Sequence, residues 1–294
     1  MKKQHILTLT LAALVLLPVL AGCSIKEDRS DAPVWMRLDR SNITGDYSGP
    51  FIFSEFWGDV LFFRDSYNSV SSFLSQGYIP LPQGKVTISG IGGVDGMYFD
   101  RDSLLLIPEG KDADAIYAFV TDIQAEGDLC NMDAQWHKEH CRVTLDMMIE
   151  PGGDCLYDLR LRSNVVGLNV RTLEPIRGDW RFKPVIDPVD AKYRFNLLRQ
   201  FPADKTVSPT RSDLLIELWG DEGLLFAEPG TVPVSTGVEL LDTIDLGAII
   251  ADHDLVDWTA PDLPDIEIRI DYARMKLYIR VADWVMVDLG EIVI

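Results

Sequence analysis

The sequence of 294 residues is short of histidine and of positive charge, and each shortage limits what the protein can do. It has four histidines, so a Ser-His-Asp triad has little to draw on, and the G-x-S-x-G motif is absent. It has 27 Lys and Arg residues and 46 Asp and Glu residues, which gives a formal net charge of −19. Nucleic-acid binding needs a basic surface. We therefore predict no catalytic residues, no cofactor and no nucleic-acid partner.

Cysteine is also scarce, at four residues, three of which follow residue 100. Proximity makes a Cys130–Cys141 disulfide possible, with Cys155 left free, and three buried thiols are an equal alternative. His137 and His140 lie between the first two cysteines, and a His-x-x-His pair can chelate a metal ion on one helical turn. Their spacing from Cys130 fits no zinc-finger pattern. We expect a solvated loop here and no metal site.

The chain begins with a positively charged and then apolar segment that is typical of a secretory signal. Lys2 and Lys3 precede the apolar run Ile6–Leu20, which is shorter than the about 20 residues of a membrane-spanning helix. The run ends in "LAGC", which resembles a bacterial lipobox with Cys23 as the acylated residue. We predict a lipoprotein signal peptide over residues 1–22 and lipidation of Cys23.

The polar segment after the lipobox, residues 23–33, is predicted to be a tether between lipid and folded body. Each buried CH₂ of an acyl chain contributes about 0.8 kcal/mol, so more than one chain gives a lasting anchor. The outer membrane is then a partner through the lipid alone. An acidic body is not expected to lie flat on anionic lipid.

Alternation of apolar and polar residues is the commonest pattern in the mature chain and predicts strands. Val143, Leu145 and Met147 alternate with polar residues, and the runs 266–270 and 275–281 alternate around a turn, as in a β-hairpin. One segment, Asp112–Gln124, has apolar residues at helical spacing and is predicted to be a helix. Many short strands favour antiparallel sandwiches over a parallel α/β sheet.

The mature chain is long enough for two domains of ordinary size. Pro184 and Pro188 flank an apolar pair in a stretch without sustained periodicity, so we place the boundary at residues 183–190. This gives an N-terminal β-sandwich domain at 34–183 and a C-terminal one at 184–294.

The aromatic residues leave a second function open. Trp35, Trp57 and Trp136 lie in polar surroundings, and a row of coplanar surface aromatics in a cleft would favour a carbohydrate-binding or adhesin-type surface lipoprotein. Aromatic residues of this kind are more often core or interface residues.

Several segments together resemble a known family. They are "CSIKEDRSDAP" from Cys23, "CRVTLDM" from Cys141, "RFNLLRQ" from Arg194, "LLIELW" from Leu214 and "DLPDIEIRIDYARMKLYIRVADW" from Asp262. In this order they are similar to the lipid-anchored anchor subunits of type V pili (fimbriae) of Bacteroidales. The likeness is spread over most of the mature chain. It departs at Ala32, where members of the family often carry cysteines.

The resemblance implies an all-β protein of two tandem transthyretin-like (Greek-key) β-sandwich domains. It further implies a palmitate-bearing lipoprotein of the outer membrane, exposed on the cell surface at the base of a fimbrium. There it would bind fimbrial stalk subunits, attach the fibre to the cell, limit its length and serve cell adhesion. Stalk subunits of such pili lose their first strand to a protease and take a strand from a neighbour, whereas anchor subunits keep the lipid and the first strand.

Two segments of this chain correspond to that assembly mechanism. The first strand is predicted in "VWMRLDR", with Val34, Met36 and Leu38 on one face and with Arg37 and Arg40 as potential cleavage sites. A donor strand fills an open groove with alternate side chains. The candidate donor is the C-terminal "WVMVDLGEIVI", through Trp284, Met286, Leu289, Ile292 and Ile294. The alternative is that this segment is the last strand of the protein's own second sandwich.

Overall fold

The computed structural model describes most of the chain after residue 31, and its strands and helices all lie in that part. The described residues are 32–39, 49–148, 158–202, 212–220, 237–271, 276–281 and 287–291. Residues 1–31 lie outside them. This range includes the predicted signal peptide, Cys23 and most of the predicted tether. Within the described ranges, no helix is both long enough and apolar enough to cross a membrane.

Strands dominate the first half of the described chain, with a single short helix. The elements are β1 (Val34–Asp39), β2 (Phe51–Trp57), β3 (Val60–Tyr67), α1 (Val70–Leu74), β4 (Ile79–Leu81), β5 (Gly84–Gly92), β6 (Tyr98–Arg101), β7 (Leu104–Leu106), β8 (Tyr117–Ala125), β9 (Leu129–Asp133) and β10 (His137–Lys138).

The second half follows the same pattern. Its elements are β11 (His140–Met148), β12 (Asp158–Asn169), β13 (Pro175–Phe182), β14 (Tyr193–Leu198), β15 (Leu215–Gly220), β16 (Glu239–Asp245), α2 (Leu246–Asp252), β17 (Ile266–Asp271), β18 (Lys276–Val281) and β19 (Val287–Glu291). The prediction of an all-β fold is confirmed.

The strands form four sheets that pack as two β-sandwiches. In the first, a three-stranded sheet of order β4-β1-β9 faces a five-stranded sheet of order β10-β8-β5-β2-β3. In the second, a sheet of order β14-β11-β17-β18-β19 faces one of order β16-β15-β12-β7-β6, with β13 paired to β12. Most strand pairs are antiparallel, but β1 pairs β9 and β11 pairs β17 in parallel.

Alternation in the sequence correctly predicts the half-buried strands. Val34, Met36 and Leu38 of β1 are buried while the residues between them are exposed, and they pack against Phe51 and Phe53 of β2. The predicted hairpin is also confirmed, because β17 and β18 pair antiparallel from Ile266↔Val281 to Asp271↔Lys276. The turn between them lies outside the described residues.

The predicted helix at Asp112–Gln124 is wrong, since most of it is strand β8. This strand pairs along its whole length with β5, from Gly84↔Ala125 to Gly92↔Tyr117. It also pairs β10 on its other side. Apolar residues occur on both faces of such a central strand, which produces a spacing that resembles that of a helix.

The predicted domain boundary at 183–190 is also wrong, because strand pairing crosses it. β11 pairs β14, and β12 pairs β15. Pro184 and Pro188 instead lie in the connection between β13 and β14, both of which belong to the second sandwich. The division falls between Lys138 and His140, and β6 and β7 cross over to join the second sandwich.

The two sandwiches are joined by packing and by charge. Both faces of β2 are buried, and Ile52 and Phe56 belong to the hydrophobic core of the second sandwich. The Arg64 guanidinium of β3 lies 3.8 Å from the ring centre of Phe99 on β6. A cation over an aromatic face at this distance is attractive.

A buried ion pair lies where the chain passes from one sandwich to the next. Arg199 Nε is 2.5 Å from Glu139 Oε2, and both side chains are almost fully buried. Arg199 also donates to the backbone carbonyls of Trp258 and Pro261. Glu139 N–H donates to the Ile116 carbonyl at 2.9 Å, which links this site to the end of the first sandwich.

The glycine-rich stretch between β5 and β6 forms a turn. The backbone N–H groups of Asp95, Gly96 and Met97 donate to the Asp114 carboxylate at distances from 2.7 to 3.0 Å. Gly93 has φ +87° and lies so close to Ala115 that a Cβ would be 2.1 Å from its carbonyl oxygen. Gly93 is therefore needed for the backbone conformation of this turn. The Asp114 carboxylate is occupied by the three backbone N–H donors.

Candidate binding pocket at the edge of the first sandwich

The pocket exists because the two sheets of the first sandwich differ in width. The three-stranded sheet ends at β4, whereas the opposite sheet continues to β3. Glu55 of β2 pairs with Phe63 of β3, and the pairs Phe53↔Asp65 and Phe51↔Tyr67 follow. Residues two apart on a strand share a face. The inner face of β3 therefore looks past the edge of β4 into open space.

This space is a cavity of about 660 Å³. Ala32 and Pro33 at the start of the described chain lie on its rim, as do Pro80 and Pro82 around β4. Five aromatic side chains form much of its lining: Trp57, Phe62, Phe63, Tyr67 and Tyr78. The volume is within the usual range for a ligand pocket, roughly 300 to 1,000 Å³.

Glu55 is the unusual residue of the pocket. It is only 1% exposed, and its Oε2 atom has no hydrogen-bond partner in the described part of the chain. Burial raises the pKa of its carboxyl from 4.5 to about 8. A buried polar group without a partner costs about 1 to 3 kcal/mol, and native proteins contain few of them. Such a group indicates a functional position when it lies in a cavity.

The other ionisable groups of the pocket add negative charge and no positive charge. Asp65 lies on the same face of β3 as Phe63 and Tyr67, and its side chain is exposed. Burial, the neighbouring Asp65 and the more distant Glu55 all raise the pKa of Tyr67. Among the described residues that line the cavity, none is Lys, Arg or His. The pocket therefore carries a negative potential when its two carboxyls are ionised.

The three tryptophans predicted as a platform do not line one site. Trp57 is 58% exposed at the rim of the pocket, and Trp35 is exposed on the outer face of β1. Trp136 is buried in the first sandwich, with ring-centre distances of 5.5 Å to Phe51 and 5.3 Å to Phe119. The coplanar row of surface aromatics that would favour carbohydrate binding is not formed by these three.

The possible disulfide is contradicted, because Cys130 and Cys141 are both free thiols. Cys130 lies on β9 against the core of the first sandwich, while Cys141 lies on β11 in the core of the second. Burial raises the pKa of both thiols, and that of Cys141 to about 12. Cys155 lies outside the described residues. Cys141 thus behaves as a small apolar core residue.

The histidines between these cysteines lie in strands and not in the predicted solvated loop. His140 of β11 is buried, and its Nδ1 is 3.0 Å from the Ile116 carbonyl oxygen. Burial lowers the pKa of its imidazole to about 4, so the ring is neutral. Across the described part of the chain, no group of three or more His, Cys, Asp or Glu residues could hold a metal ion.

The candidate donor strand lies partly outside the described residues, namely at Trp284, Met286, Ile292 and Ile294. Leu289 belongs to β19, which pairs antiparallel with β18 of the same chain. In this structure the described part, Val287–Glu291, is therefore the last strand of a sheet in the protein's own second sandwich. This arrangement is the alternative to strand donation.

Neither a protein-family model nor a curated protein sequence matches the chain. Solved structures do match it. The fimbrial anchor protein Mfa2 from Porphyromonas gingivalis is similar at TM-score 0.55 and 13% identity, over 87% of this chain and 98% of that one. A candidate adhesin from Bacteroides ovatus has TM-score 0.55 and 11% identity, over 88% and 96% of the two chains.

A candidate polysaccharide-binding protein from Bacteroides thetaiotaomicron is equally similar, at TM-score 0.55 and 12% identity over 88% of this chain and 98% of that one. At these identities the likeness establishes a shared fold and nothing more. It extends over 87% to 88% of this chain, so the shared fold includes both sandwiches.

Proposed function

We propose that the protein is a surface lipoprotein of the outer membrane that anchors a fimbria through contacts with stalk subunits and limits the length of the fibre. The observation that carries this proposal is the two-sandwich fold shared with the fimbrial anchor protein Mfa2 over nearly the whole of both chains. The lipobox ending at Cys23 supports it, because acyl chains on that cysteine would hold the body at the membrane.

The position of the first strand supports a load-bearing role. A pull on the tether reaches the body at Val34, where β1 begins. β1 is the middle strand of its sheet, paired with β4 on one side and with β9 from Trp35↔Leu129 to Asp39↔Asp133 on the other. A pull along the strand therefore acts on many hydrogen bonds together and not on one after another.

The proposal is tested by replacing Cys23→Ala in cells and comparing it with Cys130→Ala. We expect the Cys23 variant to leave the membrane fraction and its cells to shed fibres into the medium. The Cys130 variant, which also removes one thiol, should stay membrane-bound with its fibres. Continued membrane retention of the Cys23 variant would contradict lipid anchoring. Fibres that stay attached to its cells would contradict the anchor function.

A further inference from the structure

We infer that the pocket beside β3 binds the guanidinium or ammonium group of an arginine or lysine side chain that a partner polypeptide carries. The inference stands on the geometry of the pocket and does not depend on the fimbrial role. Three features of the described residues point to this chemistry: an acceptor without a donor, a surplus of negative charge, and walls of aromatic rings.

The acceptor is Glu55 Oε2, which is buried and has no hydrogen-bond partner among the described residues. A carboxylate at this position can accept two or more hydrogen bonds. The described residues supply none to this oxygen, so it is open to a donor from a bound molecule. Hydrogen bonds between a cation and a carboxylate are about twice as strong as neutral ones.

The charge of the pocket favours a cation over a neutral donor. Asp65 adds a second carboxylate on the same face of the sheet. No described residue of the lining carries a balancing positive charge. Burial keeps the proton on Glu55 at neutral pH while the pocket is empty, and a bound cation favours its ionised form, whereas a neutral hydroxyl leaves the field of the ionised carboxyls uncompensated. A guanidinium or ammonium group satisfies the acceptor and compensates the field.

The walls favour a cation as well. Phe63 and Tyr67 lie on the same face of β3 as Asp65, and Tyr78, the residue before β4, also lines the cavity. Aromatic faces attract a cation within about 6 Å of the ring centre. A planar guanidinium can also stack on a ring while its edge donates to a carboxylate.

The rim of the pocket favours a polypeptide as the carrier of the cation. Trp57, Phe62 and Tyr78 are all more than half exposed. Protein–protein interfaces are enriched in aromatic residues, which exclude water around a buried anchor. The cavity of about 660 Å³ also holds more than one side chain. An arginine or lysine within a short segment fits these dimensions, with its neighbours on the aromatic rim.

The test compares two peptides, acetyl-Ala-Arg-Ala-amide and its citrulline counterpart, in which a neutral urea group of similar shape replaces the guanidinium. Each is titrated into the purified protein while backbone amide shifts are followed by NMR. We expect the arginine peptide to bind about tenfold tighter or more, with shifts at residues of β3 and around β4. Glu55→Gln should lower the affinity of the arginine peptide toward that of the citrulline peptide, while Asp65 and the aromatic rings retain part of the difference.

Glu109→Gln is the matched control, because it removes one carboxylate from an exposed position outside the pocket. We expect it to leave both affinities unchanged. Equal binding of the two peptides, or an equal loss in both variants, would overturn the cation site. Maltotriose binding with shifts in the pocket, and no binding of the arginine peptide, would show a saccharide site instead.

The chain itself has basic residues shortly before the rim, at Lys26 and Arg29. The double variant Lys26→Gln/Arg29→Gln separates them from a partner as the source of the cation. With a partner as the source, the double variant binds the arginine peptide as the original protein does. A tenfold gain in affinity would mean that the chain's own cations compete for the pocket, and it would overturn the assignment to a partner.

Discussion

The unpartnered carboxyl of Glu55 predicts an unusual dependence of stability on pH. Burial raises its pKa from 4.5 to about 8. Between these two values the folded chain keeps the proton while the unfolded chain loses it. The folded state then binds more protons, so the free energy of unfolding falls as pH rises. Each pH unit in this window costs about 1.4 kcal/mol. Below pH 4.5 both states are protonated, and the cost disappears.

The substitution Glu55→Gln removes this titration and keeps the size of the side chain. We expect the original protein to lose about 3 kcal/mol relative to this variant between pH 5 and pH 8. Urea unfolding of both proteins at pH 5, 6, 7 and 8 measures the difference. The absolute stability of the variant is a weaker test, because the glutamine amide is also buried without a partner.

Glu109→Gln again serves as the control, since that side chain is exposed. Its unfolding free energy should follow the original protein at every pH. If the curves of the original protein and Glu55→Gln run parallel from pH 5 to pH 8, Glu55 ionises normally in the folded state. The conclusion that Glu55 is a buried acid whose pKa is raised would then be wrong.

Three further substitutions test individual contacts that stabilise the two sandwiches. Met36→Ala in β1 should lower the free energy of unfolding by about 2 to 5 kcal/mol in urea, because the side chain is fully buried, whereas Trp35→Ala on the exposed face should change it far less. Arg199→Met should cost about 3 to 5 kcal/mol by leaving Glu139 buried and unpaired, and the double variant Arg199→Met/Glu139→Leu should recover most of the loss. Gly93→Ala should lower the melting temperature more than Gly110→Ala, since both have positive φ but only Gly93 would bring a Cβ against a backbone oxygen. Equal effects within any of these pairs would contradict the contact on which that prediction rests.

The sequence predicts those strands that have one buried and one exposed face. Val34, Met36 and Leu38 alternate with exposed residues because only one side of β1 is covered. The same reasoning fails for β2 and for the first half of β8, whose residues pack into the cores of both sandwiches. Their apolar residues do not alternate, and in β8 they fall at a spacing that also suits a helix. Coverage of the second face comes from distant strands, which local patterns do not report.

The domain boundary fails for a related reason. Pro184 and Pro188 indicate an irregular connection, and the structure has one there. An irregular connection ends a strand, but it ends a domain only if the strands before and after it belong to different sheets. β13 and β14 belong to the same sandwich. Which strands share a sheet depends on pairing over long sequence separations, such as β11 with β17, and no composition shift marks it.

Glu55 was not identified as a site residue, although the sequence contains a signal for it. It is the single acid within "FIFSEFW", between aromatic residues that belong in a core. Because the chain has 46 acidic residues, the presence of an Asp or Glu does not by itself indicate a functional site. The Glu55 side chain lies on the face of β2 turned towards the three-stranded sheet, among the pocket residues of β3 and β4. The open space in front of it begins where, among the described strands, that sheet ends at β4.

The pocket lies close to the end of the predicted tether, and this links the two proposals. Ala32 and Pro33 lie on the rim of the cavity, and the next residue begins the middle strand of the facing sheet. A cation held between Glu55 and the aromatic rings would bridge β3 and the edge at β4. That edge is paired to β1 by three residues, from Val34↔Leu81 to Met36↔Ile79. A partner bound there would therefore reinforce the sheet edge next to the strand on which the proposed tether would pull.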